Sequence, residues 1–155
     1  MIRSASPLDP RVIALMTAQQ VELRGIYQGA DDRTEPFDPA TLSGDGCVLL
    51  VDDEAGELVA CAALKRWDDG RTAEIKRMYT LPPWRGQGRG KALLEALVAR
   101  GRALGYTRLV LETGNLQPAA IAIYERAGFQ RTPNFGYYEG IPTSWCYALS
   151  LQNPS

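Results

Sequence analysis

The chain has 155 residues, 45% hydrophobic and 23% charged, with 17 basic against 18 acidic side chains and a net charge of −1. That composition suits one globular domain spanning 1–155, and the balanced charge argues against a broad nucleic-acid surface, which needs a basic excess. Histidine is absent, so the commonest general base is excluded and acid–base chemistry falls to carboxylates, Tyr, Cys, Lys or water.

No apolar run approaches the roughly 18 residues that span a bilayer. The opening MIRSASPLDP lacks the apolar stretch of a secretory signal. Cys47, Cys61 and Cys146 are widely spaced, with no CxxC. The expectation is a cytoplasmic protein with reduced cysteines in or near its core, no metal site, and neither a membrane nor a nucleic acid as partner.

In chain order, IRSAS reads as a short first strand. From Arg11 to about Gln28, Val12, Leu15, Met16, Leu23, Ile26 and Tyr27 have helical spacing, and Gly25 is a point at which two helices could divide. The polar GADDRTEPFDPATLSGDG reads as a surface loop. CVLLVDD, ELVACAALKRW and TAEIKRMYTL are strands joined by the short turns EAG and DDG, which predicts an antiparallel meander. The periodicity then changes. From Gly88 to Leu104, Leu93, Leu94, Leu97, Val98 and Leu104 share one helical face, and Gly105 is a stop. TRLVLET is a strand and QPAAIAIYERAG a helix with Pro118 in its first turn. FQRT and SWCYALSL close the chain as strands. A strand, one helix and a strand imply one parallel pair. The sum is a mixed α/β sheet of about six to seven strands, flanked by about four helices.

The segment RGQGRGK, Arg85 to Lys91, opens the long helix. A helix N-terminus carries unpaired N–H groups and partial positive charge, and glycines let an anion approach the backbone. Arg85, Arg89 and Lys91 add fixed charge at the same place. The pattern therefore points to a phosphate or pyrophosphate cradle, against the plainer alternative of a solvated turn. It is not a P-loop: three residues separate Gly86 from Gly90, and Ala92 stands where a hydroxyl would bind magnesium. Nor is it a dinucleotide fingerprint, because the third glycine is misplaced.

R-G-Q-G-R-G at 85–90 fits a motif of Gln or Arg, two residues, Gly, one residue, then Gly or Ala. It follows a strand ending in MYTLPPW, and QPAAIAIYERAGF comes downstream. From about Ala73 to Phe129 the chain resembles the GNAT superfamily of acyl-coenzyme-A-dependent N-acyltransferases, in particular its small bacterial members. Two positions depart from the family pattern: Gln117 stands where Asn is usual, and Ile123 replaces the Leu before the tyrosine.

The resemblance implies a sheet splayed in its middle and acetyl-coenzyme A as acyl donor. Its diphosphate would lie on the amides of Gly86, Gln87, Gly88, Arg89, Gly90 and Lys91, with Arg85 or Arg89 in reach of phosphate oxygens. Its pantetheine arm would pair with Met78, Tyr79 and Thr80, one of whose N–H groups would polarise the thioester carbonyl. Gln117 takes the place of the family's asparagine contact. Tyr124 corresponds to the tyrosine facing the coenzyme sulfur and is the candidate general acid, with core packing beside Ala120 and Ile123 as its alternative. Glu74 is the candidate base. By strand alternation it shares a face with Met78 and Thr80, and its alternative is an ion pair with a neighbour such as Lys76. The acceptor expected is a primary amine of a small molecule, peptide or protein, attacked directly in a ternary complex; a non-catalytic acyl-coenzyme A sensor is the rival reading. Glu22, Tyr27 and Asp31–Asp38 lie where the family varies to read its acceptor. The aromatic NFGYYEGIPTSW leaves three roles open: a wall of the acceptor pocket, a homodimer contact, or surface packing. Cys146 has no histidine to activate it and reads as structural.

Overall fold

The computed structural model describes residues 1–27 and 38–152. Seven strands form one sheet: β1 (Ile2–Ser4), β2 (Val48–Glu54), β3 (Glu57–Arg66), β4 (Thr72–Thr80), β5 (Arg108–Gly114), β6 (Gln130–Thr132) and β7 (Ser144–Ser150). Their spatial order is β1-β2-β3-β4-β5-β7-β6. All pairs are antiparallel except β4 with β5. The predicted meander and single parallel pair are both present.

The described residues contain three α-helices: α1 (Pro10–Ile26), α2 (Arg89–Ala103) and α3 (Pro118–Arg126). Asp9 caps α1 by accepting from the Arg11 N–H at 2.9 Å, and Pro10 takes the first position, where its missing N–H costs nothing. The expected division at Gly25 does not occur. Gly25 does not take a positive φ, and α1 runs through it to Ile26. The predicted loop after α1 is partly structured: Asp38 caps a short 3₁₀ turn, Pro39–Leu42, whose Leu42 is buried. Residues 28–37, including most of Asp31–Asp38, lie outside the described residues. No helix of the described residues is long and apolar enough to cross a membrane.

Two apolar clusters sandwich the sheet. On one face Leu93, Leu94 and Leu97 of α2 and Tyr124 of α3 pack on Leu64, Ile75, Leu109 and Leu111. Each fully buried leucine contributes about 1.5–3 kcal/mol. Leu104, expected on the same stripe, caps α2 and is exposed. On the other face Val12, Leu15 and Met16 of α1 pack on Leu49, Val51, Cys61, Ala63 and Tyr79. All three cysteines are free thiols, two of them buried. Burial pushes the Cys61 thiol up to about 12 and the Cys146 thiol up to about 11, which leaves both without thiolate character.

The sheet opens at one place. β4 pairs with β5 only from Thr72↔Arg108 to Ile75↔Leu111. β5 runs on beside β7 as far as Gly114↔Ser144. The second half of β4, Lys76–Thr80, therefore has no strand partner on that side. A β-bulge lies where the two part. Between the pairs Ala63↔Lys76 and Cys61↔Tyr79, β3 advances by two residues and β4 by three. The extra residue is accommodated at Arg77, whose φ is +56. Bulges bend a strand and re-aim its side chains.

Candidate active site

Helix α2 begins with an uncovered N-terminus. Its cap is Gly88, with φ +76 and no side chain to accept from the first turn. The first helical bond runs from the Ala92 N–H to the Gly88 carbonyl, so the N–H groups of Arg89, Gly90 and Lys91 have no partner within the helix. Gly86 is also left-handed, at φ +78. A Cβ on either Gly86 or Gly88 would meet nothing within 4 Å, so the loop borders open space. Gly90 has a different task. A Cβ there would stand 3.3 Å from Ile123 Cδ1, so it lets α2 approach α3.

The arginines of this loop are already engaged. Arg85 grips both Glu22 carboxylate oxygens at 2.9 and 2.8 Å, donates to the Thr80 carbonyl at 2.9 Å and lies over the Tyr79 ring. Arg89 donates to Asp52 at 3.0 Å, pairs with Glu54 at 3.1 Å, holds Gln87 Oε1 at 3.1 Å and stacks on Trp84. Its pKa is raised, chiefly by the hydrogen bond to Asp52. Sequence reasoning offered both guanidinium groups to a phosphate. In the structure carboxylates hold them, and the free positive potential comes from backbone N–H groups and exposed Lys91, itself 4.0 Å from Glu95.

The open half of β4 presents backbone to the gap. The Leu81 N–H bonds to the Val59 carbonyl of β3, so by strand alternation Tyr79 also turns its polar backbone towards β3 while Met78 and Thr80 turn theirs away. Two side chains take the carbonyls of that pair: Gln19 Nε2 donates to Met78 O at 3.1 Å, and Arg85 Nε to Thr80 O. The N–H groups of Met78 and Thr80 are left for a ligand. Of the segment Met78–Tyr79–Thr80, the middle residue is the one whose backbone is spent on the sheet.

Tyr124 stands beneath the gap on the α2–α3 side. It is buried, packs edge-on against Phe129, and directs its hydroxyl to Met78 Sδ at 3.5 Å. Burial, and then the negative charge of Glu112, hold its pKa above the ordinary tyrosine value. Gln117 is the residue before α3 and makes no capping bond through its side chain.

Glu74 lies on the other face, which corrects the expected alternation. Ala73, Ile75 and Met78 all join the α2–α3 cluster. The odd step from Ile75 to Met78 is the bulge at Arg77, and it puts Glu74 and Met78 on opposite faces. Glu74 is buried, receives Trp67 Nε1 at 3.2 Å on Oε1, and pairs with Lys76 Nζ at 3.3 Å on Oε2. Lys76 also donates to the Tyr138 hydroxyl at 3.2 Å. Phe135 packs edge-on against both Trp67 and Tyr138. The aromatic segment before β7 thus forms a wall beside Glu74. Nearby the Ser144 hydroxyl of β7 donates to Glu112 of β5 at 2.6 Å. Cys146, opposite Glu112 in the register, is buried within this sheet.

Two residues near the opening escaped sequence reasoning. Arg77 carries no sign of its left-handed backbone, which is rare outside Gly, Asn and Asp. Gln19 did leave a signal: a polar residue among Val12, Met16 and Leu23 on the inward stripe of α1. Its Oε1 is buried without a hydrogen-bond donor among the described residues, and so is Asn115 Oδ1 beyond the end of β5.

Comparison with known proteins converges on one group. The family model described as the acetyltransferase (GNAT) family matches residues 13–129. An IAA acetyltransferase from Azospirillum brasilense is 34% identical over 143 residues, covering 92% of each chain. A Klebsiella pneumoniae crystal structure assigned to the acyl-CoA N-acyltransferases superposes with a TM-score of 0.79 at 34% identity, covering 98% of this chain and 97% of that one. A GNAT family acetyltransferase from Elizabethkingia anophelis, solved with acetyl-CoA bound, has the same fold, with a TM-score of 0.72 at 20% identity over 97% of each chain.

Proposed function

The chain belongs to the GNAT family of acetyltransferases, and from that premise we propose that it moves an acetyl group from acetyl-coenzyme A to a primary amine by direct attack. The observation that carries this reading is the uncapped N-terminus of α2 opening beside the unpaired half of β4. Unpartnered N–H groups at a helix start suit a diphosphate. The space around Gly86 and Gly88 lets phosphate oxygens come up to the backbone.

In this reading the amides from Gly86 to Lys91 hold the diphosphate, and the pantetheine arm lies along Met78 and Thr80. The Met78 N–H is the oxyanion donor to the thioester carbonyl, since its carbonyl partner is already tied to Gln19. The Arg85 and Arg89 side chains fix the loop from behind. Tyr124 gives its proton, or a hydrogen bond, to the departing thiolate. Its raised pKa keeps the hydroxyl protonated, and so a hydrogen-bond donor to the thiolate, at any ordinary working pH. Gln117, at the start of α3, takes the place of the family's asparagine contact.

Glu74 is the base on the acceptor side. A lysine-like ammonium has a pKa of about 10.4 and must lose a proton before it attacks. The Lys76 ion pair and the Trp67 hydrogen bond fix the Glu74 carboxylate in position. The acceptor amine displaces or bridges to this pair, directly or through water. The aromatic wall of Trp67, Phe135 and Tyr138 supports a small-molecule or peptide acceptor with apolar surface next to its amine.

Thiol release from acetyl-coenzyme A against a broad primary-amine panel, with mass spectrometry of the product, tests the activity. Glu74→Gln should lower kcat about 100-fold and Tyr124→Phe at least about tenfold, both with coenzyme affinity within about twofold of wild type. Wild-type rates in both variants would remove these two roles. Coenzyme binding without turnover of any amine would leave a sensor instead of an enzyme.

A further inference from the structure

We infer that Gln19 binds the acceptor amine: its Oε1 takes an N–H of the nucleophile while its Nε2 holds the splayed strand. This rests on the activity proposed above and adds to it a residue outside the family's motifs.

Gln19 sits midway along α1, between buried Met16 and the gap in the sheet. Its Nε2 donates to Met78 O at 3.1 Å, across 59 residues of sequence. That bond fixes the orientation of the carboxamide. With the amide reversed, Oε1 would face the Met78 oxygen with no proton between them. Oε1 is therefore turned away from Met78, and it is buried with no donor among the described residues. A buried acceptor without a donor is costly, and such orphans need an explanation.

The chemistry of the gap supplies one. Oε1 can only accept, so its partner must donate. The reacting end of the coenzyme, a thioester carbonyl and sulfur, brings acceptors alone. The attacking amine brings N–H groups. The two sides of the sheet assign the components in the same way. The diphosphate loop and Tyr124 belong to α2 and α3, which cover one face. Gln19 comes from α1 on the other face, the side to which Glu74 points. Held by Oε1, an amine next to Met78 is placed against the carbonyl that the Met78 N–H polarises. The competing donor is an amide N–H of the pantetheine arm, and coenzyme affinity separates the two.

Two variants isolate the oxygen. Gln19→Met keeps the volume and removes both polar atoms. Gln19→Glu keeps an accepting oxygen and loses the donor to Met78. The probe is the primary amine that wild type turns over fastest in the thiol-release panel. Gln19→Met should raise KM for that amine about tenfold, with Kd for acetyl-coenzyme A within about twofold. Gln19→Glu should keep KM within about threefold of wild type, since a carboxylate accepts from an ammonium at least as well. Unchanged KM in Gln19→Met overturns the inference. Equal losses in the two variants overturn it as well, because they would assign the effect to the Met78 clamp. A rise in coenzyme Kd with unchanged amine KM would assign Oε1 to pantetheine. Wild type that turns over no amine overturns the proposed activity, and this inference falls with it.

Discussion

The two faces of the sheet meet at one opening and are built from different materials. On the α2–α3 face the candidate coenzyme site is mostly backbone: unpartnered N–H groups at the start of α2, left-handed glycines, and the N–H groups of Met78 and Thr80. Its arginine side chains are spent on Glu22, Asp52 and Glu54. On the α1 face the candidate acceptor site is mostly side chain: Glu74, Lys76, Trp67, Tyr138 and the free oxygen of Gln19. A backbone site depends on conformation and tolerates many side chains. A side-chain site changes with each substitution. The contrast predicts a donor site that tolerates side-chain changes and an acceptor site that responds to each one.

The largest effect should come from charge placed in the backbone site. Gly88→Asp sets a carboxylate where the diphosphate would lie, and calorimetry should show coenzyme affinity falling at least about 100-fold. The protein should stay folded, because Asp tolerates a left-handed backbone and suits a helix N-terminus. Gly88→Asn, with the same shape and no charge, should lose no more than about fivefold. Equal losses in both variants would mean that the loop matters only as a hinge.

The boundary between the faces can be moved next. Arg77 holds the bulge at φ +56. Gly fits that conformation, so Arg77→Gly should keep both stability and turnover. Any L-residue pays about 1–2 kcal/mol there, and a β-branched side chain fits that conformation worse than Arg does. Arg77→Val should therefore lower the melting temperature and reduce kcat/KM about tenfold by disturbing the step that puts Glu74 and Met78 on opposite faces.

An effect of similar size follows from the Tyr124 hydroxyl. Its pKa is raised in the folded state, so the protonated form is favoured by folding. That contribution is complete below the unfolded value of about 10 and is lost as pH rises through the folded value. Tyr124→Phe should accordingly lower kcat at every pH up to about 10 without shifting the alkaline limb of the profile. Its melting temperature should fall less steeply than that of wild type in stronger alkali. An alkaline limb that moves in the variant would mean that Tyr124 titrates within the working range.

The smallest change is expected at Arg89. Asp52 and Glu54 hold its side chain, so Arg89→Gln should lower thermal stability while changing coenzyme affinity by less than about threefold. A larger loss, growing weaker with added salt, would mean that the guanidinium leaves its carboxylates for the phosphate.

How much of this was legible depends on the range of the interactions. The glycine turn, the helix it opens, the antiparallel meander and the parallel crossover all come from local pattern: turn residues, periodicity and caps within a few positions of one another. Tyr124 came instead from the resemblance, as the counterpart of the family tyrosine. The partners of Arg85 and Arg89 lie 63 and 37 residues away. They cannot be read from the loop, and for that reason a basic patch looked free when it was engaged. Gln19 was visible as a polar interruption in an apolar stripe, but its bond to Met78 was not.

By itself the sequence carried the resemblance to the family through its motifs, while short-range sterics and hydrophobic period set the order of elements and the place of the glycine turn. Tertiary structure alone decided which face each side chain serves. Strand alternation holds only while the pairing is regular. A single extra residue at Arg77, chosen by packing between β3 and β4 and carrying no mark in its own chemistry, reversed the parity that put Glu74 beside Met78.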